Sequence, residues 1–69
     1  MKTLKELIET APKFIQNAVK SQHARGVRIY AEKNIRTGNS VLMSEQHGPL
    51  FGDEDGKFGD NYTFIDELK

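Results

Sequence analysis

His23-Ala24-Arg25-Gly26-Val27-Arg28-Ile29-Tyr30-Ala31-Glu32 is the stretch on which the fold turns. Before Gly26 the apolar residues recur at three- and four-residue steps: Leu4, Leu7, Ile8, Ala11, Phe14, Ile15, Ala18 and Val19 form one stripe. That spacing puts them on one face of a helix. After Gly26 the period drops to two, with Val27, Ile29 and Ala31 alternating with Arg28, Tyr30 and Glu32. Alternation places successive side chains on opposite faces of a strand. Gly26 suits the junction because it takes the left-handed helix cap without a Cβ penalty, and the preceding His23 and Arg25 suit the helix's negative end.

Working back from the junction, Thr3 and Glu6 have the spacing of a capping box. Pro12 breaks the helical run, since an interior proline loses a hydrogen bond and costs ~3 kcal/mol. The expectation is a short helix near 3–10 and a longer one near 11–24, with Pro12 in its first turn and Thr10 as N-cap. A single kinked helix is the alternative. Working forward, Val41 and Met43 alternate with Leu42 and Ser44 across the turn-forming Asn34-Ile35-Arg36-Thr37-Gly38-Asn39, which predicts a hairpin with a longer loop. Tyr62-Thr63-Phe64-Ile65 predicts a further strand. Between them, 47–61 is an acidic, glycine-rich loop, or a short hairpin of Leu50-Phe51 with Lys57-Phe58 around Asp55-Gly56.

The fold class is therefore α+β: two N-terminal helices packed on a small, mostly antiparallel sheet of three to four strands. Residues 1–69 make a single domain, helical over residues 1–26 and β over residues 27–69. The expected core is Phe14, Ile15, Val19, Val27, Ile29, Val41, Phe64 and Ile65.

Ala31-Glu32-Lys33-Asn34-Ile35-Arg36-Thr37-Gly38-Asn39-Ser40-Val41 resembles the turn that opens SET methyltransferase and SAF domains, both of the β-clip type. The likeness covers eleven residues and about five defined positions. The chain is too short for a SET domain, and nothing after Val41 follows the SAF pattern. The resemblance implies a hairpin geometry and carries no activity.

A chain of 69 residues and 7.8 kDa buries only about 60% of its unfolded surface on folding. Small domains often add disulfides, a metal or a partner. There is no Cys, and the two His cannot close a tetrahedral metal shell by themselves. A tightly packed core, self-association or a protein partner remain, and a homo-oligomer is weighed evenly against a monomer. No apolar run reaches the roughly 20 residues of a membrane span. Met1-Lys2-Thr3-Leu4-Lys5-Glu6 carries charge where a signal peptide is apolar, so the expected location is cytoplasmic.

Net charge is zero, but it is unevenly distributed. Residues 1–36 hold eight Lys/Arg against three acids, a balance of +5; residues 37–69 hold two Lys against seven acids, −5. Such asymmetry can mark a nucleic-acid face, an acidic tail or two surfaces for different partners, or the two halves pack together and pair their charges locally.

Motifs for chemistry are lacking. Asp53-Glu54-Asp55-Gly56 fits a calcium loop in neither register, and Gly52 to Lys57 lacks the spacing and hydroxyl of a P-loop. Arg36-Thr37-Gly38-Asn39-Ser40 is a short anion-site candidate. Ser21 and His23 do not face each other on a helix, and Ser44 with His47 lacks an oxyanion hole. No catalytic residue, metal ligand or cofactor is assigned, and a non-enzyme is expected.

The expected function is a small protein-binding regulator, an inhibitor, adaptor or accessory subunit docking a folded partner through charged surfaces. Nucleic-acid mimicry by the acidic half is its sharper form. The acidic face would use Asp53, Glu54, Asp55 and Asp60, with Phe58 and Tyr62 as aromatic anchors. The alternative is a winged-helix-like DNA- or RNA-binding module using Lys13, Asn17, Lys20, Arg25, Arg28 and Arg36.

Overall fold

The computed structural model describes residues 3–52 and 61–69. Two helices, α1 (Leu4–Thr10) and α2 (Lys13–Ala24), precede four strands, β1 (Ile29–Asn34), β2 (Ser40–Ser44), β3 (Gly48–Gly52) and β4 (Tyr62–Glu67). The strands form one antiparallel sheet in the order β3-β2-β1-β4. This is the α+β architecture that the switch of period at Gly26 implies.

The helix ends follow the chemistry of their residues. At the start of α1, the Glu6 amide donates to Thr3 Oγ1 at 3.2 Å, and the Thr3 amide donates to Glu6 Oε1 at 3.3 Å, closing the capping box. Ala11 and Pro12 then take extended ψ values of 153° and 154°, so the chain leaves one helix axis and restarts on another. Pro12 occupies the N-cap of α2 without a side-chain bond. Thr10 does not cap α2, contrary to the sequence expectation; its hydroxyl donates back to the Glu6 carbonyl at 2.8 Å. Gln16 ties the two helices together. Its amide nitrogen reaches the carbonyls of Ile8, Glu9 and Ala11 at 3.0–3.2 Å, satisfying acceptors that the end of α1 leaves open. Gly26, at φ +85°, ends α2. Its amide donates to His23 O and the Val27 amide to Gln22 O, a Schellman pair.

The core lies between the helices and one face of the sheet. Leu4 and Leu7 of α1, Val19 of α2, Ile29 and Ala31 of β1 and Leu42 of β2 form the buried cluster, with Ile8, Ile15, Leu50, Phe51, Ile65 and Leu68 packed around it. Each fully buried aliphatic side chain here contributes roughly 1.5–3 kcal/mol. Val19, Ile29 and Val41 are buried as expected, and Ile15, Val27 and Ile65 are half-buried.

Two core expectations are corrected. Phe14 is 71% exposed, because the extended Ala11–Pro12 link restarts the helix and swings Phe14 outward. Phe64 is 51% exposed: the β1–β4 register slips at Ala31/Glu32, leaving Ile65 as the unpaired residue. A bulge of this kind reverses which residues face inward. Val41 is buried but pairs with Glu32, whereas Leu42 pairs with Ala31 and enters the core. Of the optional hairpin within 47–61, Leu50 and Phe51 form a strand, β3, which pairs with β2. Lys57 and Phe58 lie outside the described residues.

Candidate functional site

With the helices on one face, the side chains of the other point away from the core. On β1 these are Tyr30 and Glu32; on β2, their cross-strand partners Met43 and Val41. The bulges bring Phe64 and Tyr62 of β4, and Pro49 of β3, to the same side. Neither helix covers this face among the described residues, and it is rich in aromatic and apolar groups.

It has two halves. In one, the Tyr30 and Phe64 rings stack with centroids 6.4 Å apart and planes inclined by 30°. The Arg28 guanidinium lies over both, 4.8 Å from the Tyr30 centroid and 5.5 Å from that of Phe64. Its Nε donates to Glu67 Oε1 at 2.6 Å. The hydrogen bond to Glu67 is the main cause raising the Arg28 pKa above its ordinary value. In the other half, Glu32, Val41, Met43, Pro49 and Tyr62 line a small cavity of about 90 Å³. The Glu32 side chain is half-buried there and forms no hydrogen bond or ion pair among the described residues.

The residues expected from sequence are distributed as follows. Asp53, Glu54, Asp55, Phe58 and Asp60 lie outside the described residues; Tyr62 opens β4 and is half-buried at the cavity. Lys13, Asn17 and Lys20 are exposed on α2, and Arg25 is exposed at its C-cap. Arg28 is drawn away from that group into the pair with Glu67, and Arg36 sits in the β1–β2 loop. The basic residues of the alternative reading are thus split between α2 and the sheet. Charge from the two halves of the chain also meets directly: Lys5, Glu9, Asp66, Glu67 and Lys69 border one apolar depression beside Ile8 and Leu68.

The anion-site expectation for 36–40 meets a structural obstacle. Asn34, fully buried, accepts the Arg36 and Thr37 amides on Oδ1 at 2.8 and 3.2 Å, and its carbonyl accepts the Gly38 amide at 2.8 Å. The Asn39 amide donates to Thr37 Oγ1 at 3.3 Å. The loop's own acceptors take the donors that an anion would need. Bonding of this kind is why Asn suits such turns. Ser44 is buried as well; its hydroxyl donates to Gln22 Oε1 and accepts the His47 backbone amide at 3.3 Å.

Sequence reasoning did not single out Tyr30, Glu32, Met43, Pro49 or Phe64 as a site. The signal was present in the alternation of 28–32, whose outward set is Arg, Tyr and Glu rather than a run of small polar residues. No family model, curated protein or solved structure matches the chain. No helix among the described residues is long and apolar enough to cross a membrane.

Proposed function

We propose that this chain is a small protein-binding module whose docking surface is the face of its sheet opposite the helices. The supporting observation is that face itself: Tyr30, Met43, Tyr62 and Phe64 share it, on the side of the sheet opposite the core. Aromatic residues and Met are enriched at protein interfaces because they bury large areas with few rotatable bonds. A domain of this size gains stability from covering such a surface. The interleaved charges at Arg28–Glu67 and around Lys5 and Asp66 favour this face over whole-chain charge segregation as the means of docking.

The test is capture from the native host with three baits of equal stability. Wild type is expected to retain one protein at stoichiometric yield, Phe64→Thr to lose most of it, and Lys13→Glu/Lys20→Glu to keep it. Retention by Phe64→Thr overturns the assignment of the face. A salt-sensitive mobility shift with single- or double-stranded nucleic acid, lost in Lys13→Glu/Lys20→Glu, favours the nucleic-acid module instead.

A further inference from the structure

We infer that the Glu32 cavity receives an arginine side chain of the docked protein. This rests on the docking reading above and specifies its chemistry. An apolar face does not ordinarily carry a half-buried carboxylate without a partner, because desolvating a charge is costly unless it is compensated. Glu32 sits among Val41, Met43, Pro49 and Tyr62, and it makes no bond among the described residues. Arg28, on the same side of the sheet, is already committed to Glu67.

The shape and chemistry of the cavity fit a guanidinium. Its volume of about 90 Å³ has room for about three waters, or for one planar head group. Its walls combine one carboxylate, one aromatic ring and aliphatic carbon, which suits a group that accepts bidentate pairing, stacks on a ring and carries an apolar stem. The neighbouring half of the face displays the same combination inside the chain: Arg28 lies over Tyr30 and Phe64 while bonding Glu67. Glu32 and Tyr62 offer a partner's arginine the elements that Arg28 finds in Glu67 and Tyr30. A polyanion is disfavoured at this spot for the same reason, since Glu32 is unneutralised.

The probe is N-acetyl-arginine amide, titrated into the intact chain and followed by amide chemical shifts, with N-acetyl-citrulline amide as the neutral isostere. The expected result is a set of saturating shifts at Glu32, Val41, Met43 and Tyr62 for the arginine compound, with affinity about tenfold weaker for citrulline and lower at high salt. Glu32→Gln is expected to equalise the two compounds. Equal binding of both by wild type, shifts centred on Asp66 and Glu67, or no shifts at all would each overturn the inference, whether or not Glu32→Gln folds. These failures are separable from failure of the docking reading. If the amino-acid probe fails but capture still depends on Phe64, the face docks a partner by other contacts. If capture is indifferent to Phe64, the docking reading itself falls.

Discussion

The two faces of the sheet come from the same strands, and alternate residues of one peptide have been given opposite tasks. Towards the helices, β1 and β2 present Ile29, Ala31 and Leu42, aliphatic and fully buried. On the opposite side they present Tyr30, Glu32 and Met43, half-exposed and chemically mixed, together with Val41, which is buried. The polar groups divide in the same way. On the helix side, Ser44 donates to Gln22 and is satisfied within the molecule; on the open side, Glu32 has no partner among the described residues. A face that existed only to be solvated would carry small polar or like-charged side chains rather than stacked rings. The contrast separates a side packed for stability from one that keeps most of its side chains partly in water.

The largest expected effect breaks the comparison at its simplest point. Leu42→Ala, on the helix side, removes a fully buried side chain from the core cluster and is expected to cost about 2–5 kcal/mol, enough to unfold much of the population in a domain this small. Phe64→Thr, on the open side, keeps strand propensity and removes a half-exposed ring, and its expected cost is below about 1 kcal/mol. Urea denaturation of the two variants decides. Similar midpoints would mean that the open face belongs to the folding core, and the division of labour between the faces would be wrong.

A finer comparison lies within β2, between two serines that are both buried. Ser44 bonds Gln22 and the His47 amide, so Ser44→Ala strands buried polar groups and is expected to cost about 1–3 kcal/mol. Ser40 is fully buried and its hydroxyl has no partner among the described residues. Ser40→Ala relieves that desolvation and is expected to leave stability unchanged or raise it by up to about 1 kcal/mol. The same chemical change at the two ends of one strand should have opposite signs. Equal losses would show that the Ser40 hydroxyl finds a partner in solution.

Much of this arrangement was legible in the sequence because local signals act locally. Thr3 with Glu6, Pro12, and Gly26 set the helix limits within two residues, since each acts through its own backbone geometry. The choice of face was not legible for β2. Val41-Leu42-Met43 is an unbroken apolar run, so alternation cannot say which member points inward, and the register imposed by the Asn34–Asn39 loop decides it. Phe64 was misplaced for a related reason: the bulge beside Ala31/Glu32 is a property of two paired strands and leaves no mark on either alone. The pairing of β3 with β2 was not legible because Gly48-Pro49-Leu50-Phe51-Gly52 is turn-rich and reads as a loop or as one arm of a local hairpin. As an edge strand β3 tolerates Pro49, whose missing amide need not be paired. Gly52 has a steric reason to be glycine: a Cβ there would stand 2.9 Å from the Ser40 carbonyl oxygen. The candidate site depended on these nonlocal features, so the aromatic residues were visible in the sequence while their shared face was not.

The smallest expected effect sharpens the open face from within. Arg28→Gln removes the pair with Glu67 and the cation over Tyr30 and Phe64. Because Arg28 and Glu67 are both partly exposed, at 44% and 37% of their side-chain area, the pair is expected to add little to stability, and the urea midpoint should be indistinguishable from wild type. The change should appear in the rings: without the guanidinium bridging them, the Tyr30 and Phe64 ring protons are expected to shift, while the Leu42 and Ile29 methyl resonances stay in place. If the midpoint falls as far as in Ser44→Ala, Arg28 is built into the fold's framework, and the half of the face that it shares with Tyr30 and Phe64 is structural. If only the rings respond, that half is already organised to hold a guanidinium, and Glu32 is left open on the same face for a second.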